Sequence, residues 1–373
     1  MHYFIYATKD AWISSGSSHI DGTSYRDQNF GQDEILEIKK EFWNQSFDYQ
    51  TRALISFAGT EFINVSQSIV AGDITNPKFY LRLYEAAGTQ ELSTEYKLAA
   101  FPLSQSWDEG IGKFGDNPKV TNGVSWENRN YYPGSSAVSW SHDDGTLRHG
   151  GYYISGSGYE ASQSFSYESP DINMDVTDIV NYWLLSGSNE GFLLRFSGSQ
   201  ETNNSTFGQL KFFSSQTNTI YSPKLEVRWD DHKPCTGSNT GSLLPMTSSG
   251  AVDNILYMRG LRESYKETDK VKFRVMPRKR YIQKDFSTSV QTLTGSFIPE
   301  GSGSYSIVDM ATGETIIPFS AYTSMSCDST SNYFIQWLNG FYPNRAYKIL
   351  YKIKYDDSQE IICDNNFEFI IRS

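Results

Sequence analysis

The chain has 373 residues and a formal net charge of −11, and it contains no apolar run of the roughly 20 residues that a membrane-spanning helix needs. Aromatic residues are frequent (25 Tyr, 23 Phe and 8 Trp), and Gly, Ser, Thr and Asn separate short apolar runs, which is typical of an all-β protein with two or three domains. Residues 251–373 hold 15 Lys and Arg against 14 Asp and Glu, whereas residues 1–250 hold 17 against 29, so the acidic first part disfavours a nucleic-acid partner.

The start of the chain and its cysteines bear on the compartment. A strand is predicted to begin at Tyr3, directly after Met1, with neither the basic segment nor the cleavage site of a secretory signal peptide. We therefore expect a protein that is made in the cytoplasm and stays there, or leaves by lysis or by assembly into a particle. Reduced thiols suit that compartment, and no CxxC pair occurs among Cys235, Cys327 and Cys363.

Period-two alternation predicts half-buried antiparallel strands in the first part of the chain. Leu36 and Ile38 alternate with charged residues, and the same pattern recurs over residues 78–84 and 224–229. Each of these strands is expected to bury one face and expose the other. Such strands near the N-terminus and at residue 229 suit a β-sandwich whose ends lie close together.

One stretch of this part predicts a helix. It begins after Asp175, a suitable N-cap, and can end at Gly187. A buried strand is predicted after it, over residues 192–196. Such a single helix most simply closes an open edge or end of the sandwich. The apolar residues at helical spacing are Val176, Ile179, Val180, Trp183 and Leu184.

Two long irregular segments, residues 104–151 and 155–170, are the best candidates for a contact surface. Tyr131, Tyr132 and Trp140 lie in the first of them and could stack against the apolar face of a sugar. The alternative, which we favour, is that these rings cover the core of the sandwich or lie in a protein interface.

The second part of the chain is predicted to form another domain. Residues 231–248 are rich in Pro, Gly and Ser and predict a linker. Residues 249–373 contain about seven alternating strands, which favours an immunoglobulin- or fibronectin-like β-sandwich. A basic turn after Pro277 either is solvated or docks on an acidic partner, such as the first domain of another copy; its residues are Arg278, Lys279 and Arg280.

Two segments carry patterns that occur in enzymes, but the residues around them do not fit a cofactor-binding or catalytic site. Gly110 to Gly115 match GxGxxG, but no helix follows and Pro118 comes soon after, so we predict a bent loop held by Trp107. Asp108 and Glu109 are adjacent and would point in opposite directions in an extended chain, which does not suit a catalytic pair. The sequence predicts neither a catalytic residue nor a cofactor.

One segment has part of a metal-binding pattern. Asp171, Asn173 and Asp175 have the spacing that opens an EF-hand, but Val176 and Tyr182 stand where its Gly and Glu belong. No metal site is therefore predicted. The sequence leaves open a structural calcium ion at one of three other residues, namely Asp10, Asn29 or Asp108.

Several segments in order resemble DNRLRE-type domains. The helix has the pattern DVT..V..W, followed by GF.L and a final strand SPKLEV; two tryptophan segments lie at residues 106–110 and 124–126. The earlier segments are DAWI at 10–13, NFG at 29–31, LEI at 36–38 and RALISF at 52–57. The resemblance covers roughly residues 1–230. It implies a jelly-roll-like β-sandwich related to polysaccharide-binding modules of bacterial surface proteins, a domain type that also occurs in phage virion proteins and in some cases holds calcium.

Two functions from different classes follow as expectations. The first is a non-enzymatic structural protein of a tailed-phage virion, at the tail, baseplate, neck or head surface, whose partners are other virion proteins and copies of itself. The second is a carbohydrate-binding module or adhesin that recognises a cell-surface polysaccharide. The fold alone does not decide between these two functions.

Overall fold

A computed structural model describes most of the chain, and the fold is all-β, as predicted. The protein divides into two compact units. The N-terminal unit consists of Phe4–Asp73 and Pro77–Val227, and the C-terminal unit of Met1–Tyr3, Ile74–Asn76 and Arg228–Ser373. The described residues are 1–43, 45–88, 95–142, 145–166, 171–186, 188–246, 254–281, 286, 288–290, 294–356 and 359–373.

The N-terminal unit is built from two sheets that are joined along one long strand, β3. The first sheet has the order β10-β4-β13-β1-β3-β11-β6-β9, and the second runs β5-β12-β2-β3. The strands are β1 (His2–Ser14), β2 (Ile35–Trp43), β3 (Ser46–Phe57), β4 (Lys78–Leu83), β5 (Glu85–Gly88), β6 (Glu95–Pro102), β7 (Asn128–Asn130), β8 (Val138–Ser139), β9 (Ala161–Ser166), β10 (Ile172–Asp175), β11 (Phe192–Phe196), β12 (Gly208–Phe213) and β13 (Lys224–Arg228).

The predicted alternation is confirmed in β2 and β4. For β13 the prediction of one exposed face was wrong, because Lys224 and Glu226 are buried as fully as Leu225 and Val227. In β2, Leu36 and Ile38 are fully buried, while the alternate residues Glu37 and Lys39 lie on the outer face. In β4, Phe79 and Leu81 are buried in the same way. Burial of every second side chain removes apolar surface from water and so fixes which face of each strand points inward.

The predicted helix is confirmed as α2 (Thr177–Ser186), and α1 (Gly59–Val70) and the one-turn α3 (Ser199–Thr202) accompany it in the N-terminal unit. Asp175 accepts a hydrogen bond from the backbone N–H of Thr177 at 3.0 Å, as expected of a residue that caps the helix. Trp183 packs edge-on against Phe62 of α1, with ring centroids 5.7 Å apart. Gly187, the predicted end of the helix, lies outside the described residues.

Helix α1 was not predicted. Its buried side chains are only Phe62 and Val65, and Ala58 at its N-cap provides no side-chain hydrogen bond. Its sequence therefore lacks both the broad apolar face and the capping residue by which α2 was recognised.

A buried asparagine organises the loop that contains the formal GxGxxG. The Asn29 side chain donates to the carbonyl oxygens of Glu109 (2.7 Å) and Val124 (2.8 Å), and its Oδ1 accepts the N–H groups of Gly31 and Gly112. A Cβ atom at Gly110 would lie 2.1 Å from a backbone oxygen, so glycine is required for this close approach. The loop is bent, as predicted.

Trp107, which precedes this loop and was predicted to hold it, is anchored in the core of the unit. Trp107 is buried, and its indole Nε1–H donates to the Glu190 carbonyl oxygen at 2.9 Å. The ring belongs to a core cluster with Trp126, Trp140 and Leu193. The irregular segment is therefore fixed by both its aromatic side chains and Asn29.

The C-terminal unit has a four-stranded sheet, β15-β17-β22-β21, and a five-stranded sheet, β16-β24-β23-β19-β20. The 3₁₀ turns among its described residues are Gly237–Thr240, Ala321–Thr323 and Leu338–Gly340. The strands are β14 (Leu244–Pro245), β15 (Asn254–Arg259), β16 (Ser264–Lys266), β17 (Lys270–Lys279), β18 (Ser296–Phe297), β19 (Gly303–Asp309), β20 (Thr315–Ile317), β21 (Ser326–Cys327), β22 (Asn332–Trp337), β23 (Ala346–Asp356) and β24 (Gln359–Arg372). More strands are thus present than the seven expected, because several pair over only two or three residues.

The segment predicted to be a linker, residues 231–248, has ordered contacts in its described part. Cys235 is buried against Phe297, and β14 pairs in parallel with β18. Cys235 and Met246 are buried singly and do not belong to a repeating apolar pattern, so nothing in the sequence indicated their burial. Residues 247–248 lie outside the described residues, and the domain boundaries at 230 and 249 stay predictions.

Candidate functional site

A groove of about 550 Å³ lies on the outer face of the second sheet of the N-terminal unit. Its floor is formed by β2, β12 and the start of β3, whose inner faces are in the core. Loop residues form its two ends, together with Trp12 of β1 at one of them. The lining residues used below are Trp12, His19, Tyr25, Asp33, Glu37, Lys39, Glu41, Tyr49, Phe114, Gln209 and Lys211.

The floor carries polar side chains in cross-strand register. Glu37 lies opposite Lys211, and Lys39 lies opposite Gln209 on β12. The Lys39 ammonium lies 2.8 Å from a carboxylate oxygen of Glu41. Donors and acceptors therefore alternate along the groove, an arrangement suited to a ligand that carries many hydroxyl groups.

Two carboxyl groups of the groove are partly removed from water. Burial raises the pKa of Glu37, while the nearby Lys39 and Lys211 act in the opposite direction. Burial also raises the pKa of Asp33, although this carboxylate accepts hydrogen bonds from the Trp12 indole (2.7 Å) and the Phe114 backbone N–H (2.8 Å). These hydrogen bonds hold the two aromatic residues in place.

One end of the groove is aromatic. Trp12 stacks on Phe30 with ring centroids 3.8 Å apart, and the Phe114 ring lies 6.1 Å from Trp12 and 6.0 Å from Tyr25. Phe114 is 60% exposed, which is unusual for so large an apolar side chain. Its exposed ring is available to a flat apolar surface of a ligand.

The other end is lined by the His19 imidazole, which stacks on an indole outside the groove lining. His19 stacks on Trp43 with ring centroids 4.0 Å apart, and its Nε2 lies 3.0 Å from a carboxylate oxygen of Glu41. The groove thus has a polar floor between two aromatic ends. Such an arrangement can bind and orient an extended polar ligand.

The aromatic residues predicted from the sequence do not form a shared platform. Trp140 is fully buried and donates its indole N–H to the Ser125 carbonyl oxygen at 3.0 Å, so its assignment to a sugar-binding surface was wrong. Tyr131 is half-buried, and Tyr132 is 44% exposed with its hydroxyl 3.5 Å from Asp108. For Trp140 the alternative prediction, a role in covering the core, is confirmed.

The predicted basic turn is in part a strand end. Arg278 and Lys279 belong to β17, and only Arg280 lies in the bend that follows. Pro277 remains within the strand because its pairing with β15 continues, whereas the register with β22 ends at Val275. All three basic side chains are exposed, as predicted.

Each of the three candidate calcium residues has a protein partner. Asn29 uses both ends of its amide on backbone groups, and the buried Asp10 accepts the Ser215 N–H at 2.6 Å. The Asp108 carboxylate lies 3.5 Å from the Tyr132 hydroxyl. Within the described ranges no group of three or more His, Cys, Asp and Glu side chains is placed to hold a metal ion. None of the helices described is long and apolar enough to span a bilayer.

The groove itself was missed by the sequence analysis. The alternation at Glu37 and Lys39 predicted a solvated face, but a single strand does not tell whether that face is flat or concave. Its aromatic end needs Trp12 and Phe114, which are about a hundred residues apart in the chain. The resemblance touched this site at residues 10–13 and 36–38, through Trp12 and Glu37.

Comparisons with known proteins give little more. No family model and no curated protein sequence matches the chain. Among solved structures, it is similar to the adhesin domain of Epf from Streptococcus pyogenes, with 8% sequence identity over 100% of this chain and 92% of that chain. The TM-score is 0.17, and a similarity this low supports no functional inference.

Proposed function

We propose that this chain is a non-enzymatic structural component of a tailed-phage virion that acts through contacts with other proteins, including copies of itself. The observation that carries the proposal is the exposed end of β17, where Arg278, Lys279 and Arg280 precede the exposed aromatic residues Tyr281 and Phe286. Arginine and aromatic side chains together are characteristic of protein interfaces. The resemblance of residues 1–230 to domains found in virion proteins supports the same function.

Charge makes another copy a suitable partner for this strand end. The three basic residues lie in a part of the chain with a net charge of +1, whereas residues 1–250 carry −12. Attraction between opposite surfaces raises the rate and specificity of association, and salt weakens it.

Reversing these charges is expected to abolish self-association. In sedimentation velocity at low salt, the Arg278→Glu/Lys279→Glu/Arg280→Glu variant should remain monomeric at concentrations where the unchanged protein associates, with an affinity lower by at least roughly tenfold. A matched control reverses three other exposed basic residues of the same unit, Arg259, Arg262 and Lys266. Association that survives in the first variant would refute this contact.

A second candidate function is favoured by the groove: a carbohydrate-binding module or adhesin that recognises a cell-surface polysaccharide. The polar floor offers paired donors and acceptors to sugar hydroxyls, and Phe114 offers an exposed ring to the apolar face of a pyranose. The resemblance to polysaccharide-binding modules supports this candidate. The two functions are compatible if a virion component touches host glycans.

Removing the exposed ring should weaken glycan binding. On an array of bacterial surface polysaccharides, Phe114→Ala is expected to lower affinity roughly tenfold, because the remaining exposed part of a Phe side chain contributes about 1–2 kcal/mol when it is covered. Tyr132→Ala removes an exposed aromatic ring elsewhere in the same unit and should leave binding unchanged. Equal losses in both variants, or binding by neither variant nor the unchanged protein, would exclude the groove as a glycan site.

A further inference from the structure

Two of the three cysteines lie together inside the C-terminal unit. Cys235 and Cys327 are 3% and 1% exposed and pack in one small cluster with Phe297 and Leu243. The two cysteines are 92 positions apart in the sequence, so they lie close together only in the folded chain. Cys363 lies apart from this cluster, in β24 opposite Tyr351.

Backbone and side-chain hydrogen bonds fix the positions of both cysteines. The Cys327 N–H donates to the Lys233 carbonyl oxygen at 3.2 Å, and the Lys233 N–H donates to the Ser326 hydroxyl at 3.0 Å. The segment that carries Cys235 is thereby held beside β21. The Cys235 thiol lies 3.3 Å from the Met325 carbonyl oxygen and accepts the Asn332 amide N–H at 3.3 Å.

The two thiols are not equivalent. The hydrogen bond between them, together with burial, raises the pKa of Cys235. The same hydrogen bond lowers the pKa of Cys327.

We propose that Cys235 and Cys327 form a redox pair that closes to a disulfide when a small peroxide reaches the C-terminal unit. The Cys327 sulfur attacks one oxygen of hydrogen peroxide, the O–O bond breaks, and a sulfenic acid and one water are formed. The Cys235 sulfur then attacks the Cys327 sulfur, the S–O bond breaks, and a second water leaves with the Cys235 proton. Two thiols are oxidised to one disulfide, and one peroxide is reduced to two waters.

The bond would join the beginning of the C-terminal unit to β21. It closes a long loop of the chain, and cross-links over long loops remove more conformational freedom from the unfolded chain than short ones. A protein made with reduced thiols would thus become more stable after it meets an oxidising environment. The reduced state expected from the sequence is the starting point of this reaction.

Treatment of the full-length native protein with hydrogen peroxide tests the proposal. Thiol titration after denaturation should fall from three thiols to one, intact mass should fall by two hydrogens, and peptide mapping should join Cys235 to Cys327. The melting temperature should rise by roughly 5–10 °C and return after reduction with dithiothreitol.

Variants separate this pair from the remaining cysteine. Cys363→Ser should show the same loss of two thiols, whereas Cys235→Ser and Cys327→Ser should show no loss of two hydrogens. Three persisting thiols in the unchanged protein, oxygen addition without a cross-link, or a bond that involves Cys363 would each overturn the proposal.

Discussion

Replacing Trp140 by alanine is expected to lower the free energy of unfolding of the N-terminal unit by about 3–5 kcal/mol. The indole is fully buried, packs in a cluster with Trp107 and Trp126, and donates its N–H to Ser125. Its removal leaves a large cavity and an unpaired carbonyl oxygen. Urea unfolding followed by circular dichroism measures the loss.

Two controls make the Trp140 result interpretable. Trp140→Phe keeps most of the apolar volume and loses the hydrogen bond. It should therefore lower the free energy of unfolding, but by less than Trp140→Ala does. Tyr132→Ala, at an exposed position, should change stability by less than about 0.5 kcal/mol. Similar small effects for Trp140→Ala and Tyr132→Ala would contradict the buried position of Trp140.

The second large effect is expected at Asp10, where stability should depend on pH. Burial is the main cause that raises the pKa of this carboxyl from 3.8 to about 7; the neighbouring Glu109 adds to the shift, and hydrogen bonds from Ser215 oppose it. Between pH 4 and pH 7 the unfolded chain releases the Asp10 proton while the folded protein retains it. The free energy of unfolding therefore falls by about 4 kcal/mol in total as the pH rises through this window. Below about pH 4 and above about pH 7 the contribution of Asp10 to the free energy of unfolding does not change with pH.

The variant Asp10→Asn should lack this dependence, because its side chain does not ionise. Relative to the unchanged protein, the variant should gain about 4 kcal/mol of stability between pH 4 and pH 8. Asp73→Asn, at an exposed position of the same unit, controls for the change in net charge. Parallel stability curves for Asp10→Asn and the unchanged protein would show that Asp10 ionises in the folded state as it does in the unfolded chain.

The features that sequence reasoning predicted well are those that depend on local periodicity. Helix α2 has a broad apolar face and a capping Asp175, and both were visible in the sequence. The buried faces of β2 and β4 followed from strict alternation. In each case one face of the helix or strand is buried, and this requires apolar residues at a regular spacing. That spacing can be read directly from the sequence.

The features that were missed depend on contacts between distant residues. Whether Trp140 is exposed is decided by its packing against Trp107 and Trp126, and no local pattern records that packing. The aromatic end of the groove likewise joins Trp12 to Phe114. Loop aromatics are therefore ambiguous in a sequence, because the same ring can fill a core or cover a ligand.

The asparagine at position 29 has a consequence for how the groove could diversify. Its amide satisfies backbone groups on both sides of the bend, so the loop keeps its course without help from the side chains at its tip. Phe114 lies two residues beyond Gly112, which this amide holds. Substitutions at the tip would therefore alter which ligand the groove selects, while the loop backbone held by Asn29 keeps its conformation.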